Sequence, residues 1–322
     1  MFIKTLKLAL CCLTLSMGLA HAQYPERTVR IIAPMAAGGG TDTVARVFAL
    51  KMAARLGQSV IVENRPGGGG QIGPELVAAS PADGYTMLFT SSSALTLPYL
   101  RKTRFDLAKD FVPIGQFGTG NFALVINSKL PYKTLAEFFA AVKANPGKFT
   151  YGSAGTGAVG HLALELLKAK SGLDLVHVPF KSSLEISQAM MSGTIDASID
   201  PMTTQRPNIE SGLVRGLATT GPTRDAYLPN LPTITESKLV PGGYEMTYWF
   251  GVFMPIKTPA AVIERVQREF IAVMKEPDMA DRLKAFSLAQ SPMTAAQFQA
   301  NIVAEAAMWK KLITDVGIQT RD

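Results

Sequence analysis

The chain has 322 residues, 47% of them hydrophobic and 18% charged, with 32 Lys and Arg against 25 Asp and Glu. A single core stops growing at roughly 250–300 residues, so this length reads as two lobes. The net charge of +7 is scattered, with no basic run longer than Arg101-Lys102 or Lys310-Lys311. That pattern argues against nucleic-acid binding and leaves a mild positive field that suits anionic ligands.

The N-terminus reads as an export signal. Lys4 and Lys7 precede an uncharged apolar run over residues 8–19, and Ala20-His21-Ala22 supplies the small residues of a cleavage site before Gln23. The run is shorter than the roughly 20 residues a bilayer span requires. Cys11 and Cys12 lie inside it rather than at its end, which speaks against a lipid anchor. They are the only cysteines, so the expected mature chain (residues 23–322) has neither thiol chemistry nor disulfides, and its charge falls from +7 to +5. His161 and His177 are its only imidazoles, without zinc-like spacing, so no metal site is expected. No later segment is apolar for long enough to span a membrane, and the mature chain reads as soluble.

Strands and helices then alternate. Residues 29–33 read as a buried strand and residues 41–56 as a helix with Val44, Val47, Phe48 and Met52 on one face. Strands follow at residues 59–62 and 85–90. The pattern restarts after residue 120 with a strand at 122–127. A capping box at Thr134-Leu135-Ala136-Glu137 opens a helix that Asn145-Pro146-Gly147 stops. Further strands are predicted at 149–153, 175–178, 195–199 and 214–219, and a longer aromatic one at 246–254. Thr258-Pro259 supplies an N-cap and first-turn proline for a helix carrying Val262, Val266, Phe270 and Val273, and a second capping box at residues 294–297 opens the last helix. This alternation predicts an α/β fold of parallel units. The restart places lobe 1 at residues 23–125 plus 243–322 and lobe 2 at residues 126–242.

Two glycine loops stand between a strand and a helix, one in each half. The first is Pro34-Met35-Ala36-Ala37-Gly38-Gly39-Gly40-Thr41-Asp42. Glycines leave amides unshielded, and the helix start adds free N–H groups and partial positive charge, so the loop can hold an anionic oxygen without a cationic side chain. The other reading is a tight turn capped by Thr41 or Asp42. The second is Gly155-Thr156-Gly157-Ala158-Val159-Gly160, formally a dinucleotide-binding G-x-G-x-x-G. That fingerprint needs an acid at the end of the next strand, where Val178-Pro179-Phe180-Lys181 stands instead. An exported Rossmann-like NAD(P)-dependent oxidoreductase is thus the weaker reading. No Walker loop or Ser-centred elbow is present. His161 either hydrogen-bonds a ligand or supports the loop. Gly67-Gly68-Gly69-Gly70 reads as a turn, with no ligand contact assigned.

Several segments in order carry a family resemblance: residues 33–42, residues 62–73 with Glu63-Asn64-Arg65-Pro66, Asp83-Gly84-Tyr85-Thr86, Lys109-Asp110-Phe111, residues 153–162, His177-Val178-Pro179-Phe180-Lys181, Leu231-Pro232-Thr233 and Trp249-Phe250-Gly251. In these the chain resembles the Bug-type, TctC-like solute receptors of tripartite tricarboxylate transporters, over essentially the whole mature length. The resemblance implies a two-lobed periplasmic-binding-protein fold, type II-like, with the ligand cleft between the lobes. It implies a monomeric periplasmic receptor without cofactor or chemistry, delivering a small organic carboxylate to a membrane permease. Carried over residue by residue, it points to Ala36, Ala37, Gly38, Gly39, Gly40 and Asp42 in the first loop. In the second it points to Ser153, Gly155, Thr156, Gly157 and His161, and in the cleft to Ser91, Ser92 and Asp200. Met35 departs from the aromatic frequent at its position and is expected at the pocket mouth, and residues 93–104 also depart from the family pattern. Asp200 either meets a ligand ammonium or hydroxyl group or caps the helix starting near Thr203. Tyr248 and Trp249 either stack on a ligand or fill the core. A ligand-sensing partner of a membrane kinase would use the same clamp.

Overall fold

The structure is a computed structural model that describes residues 24–225, 227–291 and 293–316. The expected signal segment lies outside the described residues. Among the described residues, eight of ten strands form one continuous path in the order β2-β1-β3-β9-β4-β7-β5-β6, and the other two, β8 and β10, pair with β4 off that path. In the first half, β1 (Val29–Ala33) runs parallel to β2 (Val60–Asn64) and β3 (Thr86–Ser91), and β9 (Thr247–Pro255) returns antiparallel to β3. In the second half, β5 (Phe149–Ser153) runs parallel to β6 (Leu175–Pro179) and β7 (Ala197–Pro201). The short β10 (Leu288–Ala289) and β8 (Val214–Thr219) complete the sheets.

Strand β4 (Phe111–Asn127) joins the halves. Its 17 residues pair first with β9 and β10, then with β7 and β8. Only its last third was expected from the sequence. Pro113 and the glycines at 115, 118 and 120 hide the rest, because proline and glycine are poor strand formers. The structure shows why they are there. A Cβ on Gly115 would lie 2.2 Å from the Phe270 ring, and the register shifts on either side of that contact.

Helices cover both sheets. In chain order they are α1 (Gly40–Leu56), α2 (Ile72–Ala78), α3 (Leu97–Leu100), α4 (Leu107–Asp110), α5 (Leu135–Ala144), α6 (Val159–Ser171), α7 (Ser183–Ser192) and α8 (Met202–Glu210), then α9 (Ala260–Met274), α10 (Met279–Ala285) and α11 (Ala295–Val316). Both expected capping boxes form: Thr134 with Glu137, and Thr294 with Gln297. The expected Thr258 cap does not form. Pro259 is the N-cap of α9, and the Thr258 hydroxyl is buried without a partner. Helix α9 packs on α1 and β4, and Lys51 of α1 binds Glu276 and Asp278 at 2.7 Å each. Phe48, Phe89, Phe117, Phe250 and Phe270 form the centre of the first core. No helix among the described residues is long and apolar enough to cross a membrane.

The Gly115 contact makes a direct test of the packing. Gly115→Ala should lower stability by about 1–3 kcal/mol by overpacking, and Phe270→Leu in the same chain should recover part of the loss. Thermal melts of the three proteins check this, and an unchanged midpoint for Gly115→Ala would refute the contact.

Candidate functional site

The two glycine loops face one cleft between the sheets. About 60 Å³ of it is open to the centre of a water molecule. On one side lie Met35, Gly39, Gly40 and Thr41 of the first loop, Ser91 and Ser93, and Tyr248 and Phe250 of β9. Facing them are Ala154 and the start of α6 (Ala158, Val159, Gly160), together with Phe122, Ser182, Ser183, Asp200 and Pro201. Among the described residues no Lys or Arg lines it.

Both helices enter the cleft without a side-chain cap. Gly39 is the extended N-cap of α1 and Ala158 that of α6. The amides of Gly40, Thr41 and Asp42, and of Val159, Gly160 and His161, have no protein acceptor among the described residues. Such first-turn amides, with the helix partial charge behind them, favour an anion.

Asp42 does not face the cleft. Its carboxylate turns back under the loop, accepting from the Gly38 amide at 2.9 Å, Asn64 Nδ2 at 2.9 Å and Arg46 Nε at 3.1 Å. Burial opposes its ionisation, but the hydrogen bonds from Arg46, Gly38 and Asn64 prevail and hold its pKa below the ordinary value. Asn64 also donates to Met35 O at 3.0 Å, so one amide and one carboxylate fix the loop. Ala37 and Gly38 are exposed, and Ala36 O receives the Gly39 amide, so these three shape the turn while Met35, Gly39, Gly40 and Thr41 reach the cavity.

The second loop is braced in the same way from behind. Ser153 Oγ lies 3.1 Å from Gly155 O and 2.6 Å from His177 Nε2. With the hydroxyl proton directed to the carbonyl, His177 Nε2–H is the donor to Ser153. His161 is buried and its Nδ1 accepts the Gly157 amide at 3.2 Å, which is the loop-supporting alternative. The imidazoles of His161 and His177 lie 4.2 Å apart beside Tyr151, whose hydroxyl donates to Glu165 at 2.5 Å, where Lys168 also binds. Gly155, Thr156 and Gly157 do not line the cleft. Their positive-φ turns at Gly155 and Gly157 carry the chain outwards, and Ala158, Val159 and Gly160 take the cleft-facing place.

The remaining predicted residues divide. Ser91 lines the cleft, whereas Ser92 is fully buried with its hydroxyl unpartnered, and Ser93 takes its place, 2.8 Å from Ser91 Oγ. Strand β7 runs two residues further than expected, so Asp200 lies within it opposite Ala123. It caps no helix, since Pro201 is the N-cap of α8 and no side-chain cap is made. Its oxygens accept from Ser183 Oγ at 2.9 Å and Gln205 Nε2 at 3.0 Å, and burial without a cation pushes its pKa up to about 6. Tyr248 walls the cleft and its hydroxyl bonds Thr203 Oγ1, while Trp249 is in the core, bonded to Glu305 at 2.6 Å. Ser182 and Ser183 were missed. Their sequence signal is Ser182-Ser183-Leu184-Glu185, where Ser182 accepts the Glu185 amide as N-cap of α7.

A match to the family described as "Tripartite tricarboxylate transporter family receptor" covers residues 44–318. The chain belongs to that family. A UPF0065 protein of Pseudomonas sp. strain P51 is 34% identical over 293 residues, covering 91% of this chain and 87% of its own. The structure of the periplasmic binding protein BugD is 31% identical with a TM-score of 0.87, covering 92% of this chain and all of its own. R. palustris Rpa4515, solved with adipate, is 30% identical with a TM-score of 0.88, over 92% of this chain and 99% of its own. The two-lobed, mixed α/β fold is therefore that of the periplasmic binding proteins.

The histidine pair gives this receptor a pH signature. Burial, and then the neighbouring His161 charge, push His177 down to about 4. The unfolded chain takes up that proton near pH 6.5 and the folded one does not, so stability on this account is lost as pH falls from about 6.5 to about 4. His177→Gln lacks this term, so its deficit in melting temperature relative to wild type should shrink as pH falls from 7 to 4.5. A constant deficit would remove His177 as the titrating group.

Proposed function

We propose that the protein is an exported, non-catalytic receptor whose two lobes close on a small organic carboxylate for delivery to a tripartite tricarboxylate transporter permease. The lobes are residues 23–125 plus 243–322 and residues 126–242, and residues 1–22 act as the cleaved export signal that places it in the periplasm as a monomer. One observation carries the reading: two helix starts from opposite sheets turn unbonded amides into a cleft that has no basic side chain in its lining. A carboxylate matches that arrangement, because backbone amides and helix partial charges satisfy an anion without a counter-ion. The R. palustris relative solved with adipate supports the ligand class.

The direct contacts in this proposal are Met35, Gly39, Gly40, Thr41, Ser91, Ser93, Val159, Gly160 and Asp200. Ala36, Ala37, Gly38, Asp42, Ser153, Gly155, Thr156, Gly157 and His161 hold the two loops in shape. The oxidoreductase reading lacks support at its key point. Residues 179–181, at the end of the strand after the second loop, offer no acid for a ribose.

Melting temperature after unfolding and refolding, which strips carried-over ligand, tests the reading against a panel of small carboxylates. A ligand at about 100 times its Kd adds about 2.7 kcal/mol of stability. Carboxylates should raise the midpoint and their amides should not. A response to nicotinamide cofactors alone, or to no acid at all, would overturn it. Gly39 has φ −79 and ψ 168, which valine also adopts. Gly39→Val should therefore fold normally and lose at least about tenfold in affinity by filling the cleft, and unchanged affinity would place the carboxylate elsewhere.

Asp200 adds a pH dependence of opposite sign to that of His177. Ionised, it repels an anion in the same cleft, and protonated, it does not. A plain dicarboxylate such as succinate should bind more tightly to wild type as pH falls from 7 to 5 than its own protonation accounts for, and Asp200→Asn should leave only the slope that the acid's own protonation gives. Calorimetry at the two pH values checks it, and a wild-type slope equal to that of Asp200→Asn would show that Asp200 does not act on the ligand.

A further inference from the structure

The segment after β3 leaves the first sheet, forms a short 3-10 turn at Ser92–Leu95 and α3, and comes to lie against the second glycine loop. Thr96 is fully buried there, its hydroxyl 2.8 Å from Ser93 O in its own segment and 3.0 Å from Gly157 O, so its one proton is shared between the two. Arg101 Nη2 donates to Thr156 O at 2.6 Å. Gly69 presses on the same turn: a Cβ on it would lie 2.9 Å from Thr156 O, and a Cβ on Gly155 would lie 3.1 Å from Gly69 Cα. Two successive carbonyls of the second loop are thus gripped by residues that follow the first sheet's strands.

The peptide plane turns that grip into a statement about the cleft. Carbonyl and following N–H point opposite ways across a trans peptide. Holding Thr156 O outwards aims the Gly157 N–H inwards to His161 Nδ1, and holding Gly157 O outwards aims the Ala158 N–H back to Gly155 O at 3.1 Å. Both carbonyls are therefore kept away from the cleft, and the negative ends of their dipoles away from an anion. Arg101 pairs with no carboxylate among the described residues, and its Nε is buried without a partner. Its charge therefore stays uncompensated beside the α6 start. The contacts from Thr96, Arg101 and Gly69 are lost when the lobes separate, whereas the Gly157–His161 and Ala158–Gly155 hydrogen bonds lie within the second lobe and remain.

We propose that Thr96 and Arg101 are a closure latch, positioning residues that add a second hold on the loop's peptides, in their anion-receiving orientation, while the lobes are shut. The latch rests on the receptor reading above. It sets how long a bound anion stays, and it acts on the closed state without touching the ligand.

The test uses Arg101→Met, Arg101→Lys and Thr96→Val in the full mature chain, with adipate, succinate and citrate as probes. Spin labels at Leu50→Cys and Lys129→Cys, both exposed and one on each side of the cleft, report lobe separation. Arg101→Met and Thr96→Val should shift the label distances outwards, with or without acid. They should speed acid dissociation by about tenfold with little change in association, and Arg101→Lys should recover part of both. Label distances and dissociation rates equal to wild type in both variants would overturn the latch. So would a slower association alone, which would make Arg101 a source of field and nothing more. If none of the acids binds, the receptor reading fails and the latch with it, whereas binding with unaltered kinetics fails the latch alone.

Discussion

One strand belongs to both sheets, and the rest of the molecule follows from that. Strand β4 gives its first half to β9 and its second half to β7 and β8. Parallel units on either side of a shared strand leave their carboxyl ends facing one another, and the crevice beyond those ends is where α/β sheets bind ligands. The glycines that let β4 pass under Phe270 and Tyr248 are the local condition for this arrangement, since side chains there would displace the aromatic rings that fix the first core. The cleft is thus a consequence of strand topology before any side chain lines it.

What lines it is unusual in its charge balance. The attraction proposed for an anion comes from two helix starts, while the one carboxylate in the wall among the described residues, Asp200, lacks a cation. Dipoles fixed in the backbone cannot swing out to solvent as a lysine would, so affinity depends on the two helices being held at the right separation. The supporting shell shows where that rigidity comes from. Asp42 and Asn64 tie down the first loop, and Ser153, His161 and His177 tie down the second, in each case from the side away from the cleft.

The sequence disclosed the parts of this that are local and hid those that are not. Strand–glycine–helix units are visible in a linear pattern, because each is built from consecutive residues, and both loops were found in that way. Capping boxes at Thr134 and Thr294 were legible for the same reason. Strand β4 was two-thirds hidden, because its glycines and Pro113 answer to rings far away in sequence and read locally as breaks. Asp42 was readable as a cap or ligand, and only the approach of Asn64, from the next strand, shows that its carboxylate belongs to the loop. Ser92 and Ser93 differ by one position, and which of them faces the cleft depends on where β3 ends and the 3-10 turn begins, which no spacing rule fixes. Ser182 and Ser183 are near Asp200 only because β5 lies parallel between β6 and β7, which brings the ends of those two strands to one edge of the cleft.

The second loop also shows why a glycine-rich turn is a poor guide to which residues touch a ligand. Its six positions do two jobs. Ala158, Val159 and Gly160 present the helix start to the cleft, while Gly155, Thr156 and Gly157 form the surface that meets Gly69, Thr96 and Arg101. Glycine serves the first job by leaving amides bare and the second by letting two backbones approach to contact, and sequence alone gives no sign of which is required. Both jobs bear on the same anion. On the proposed reading, a loop that receives a carboxylate on one face and the other lobe on the opposite face would couple occupancy to closure through the peptide planes between them, so binding energy and lobe position would not be separable quantities.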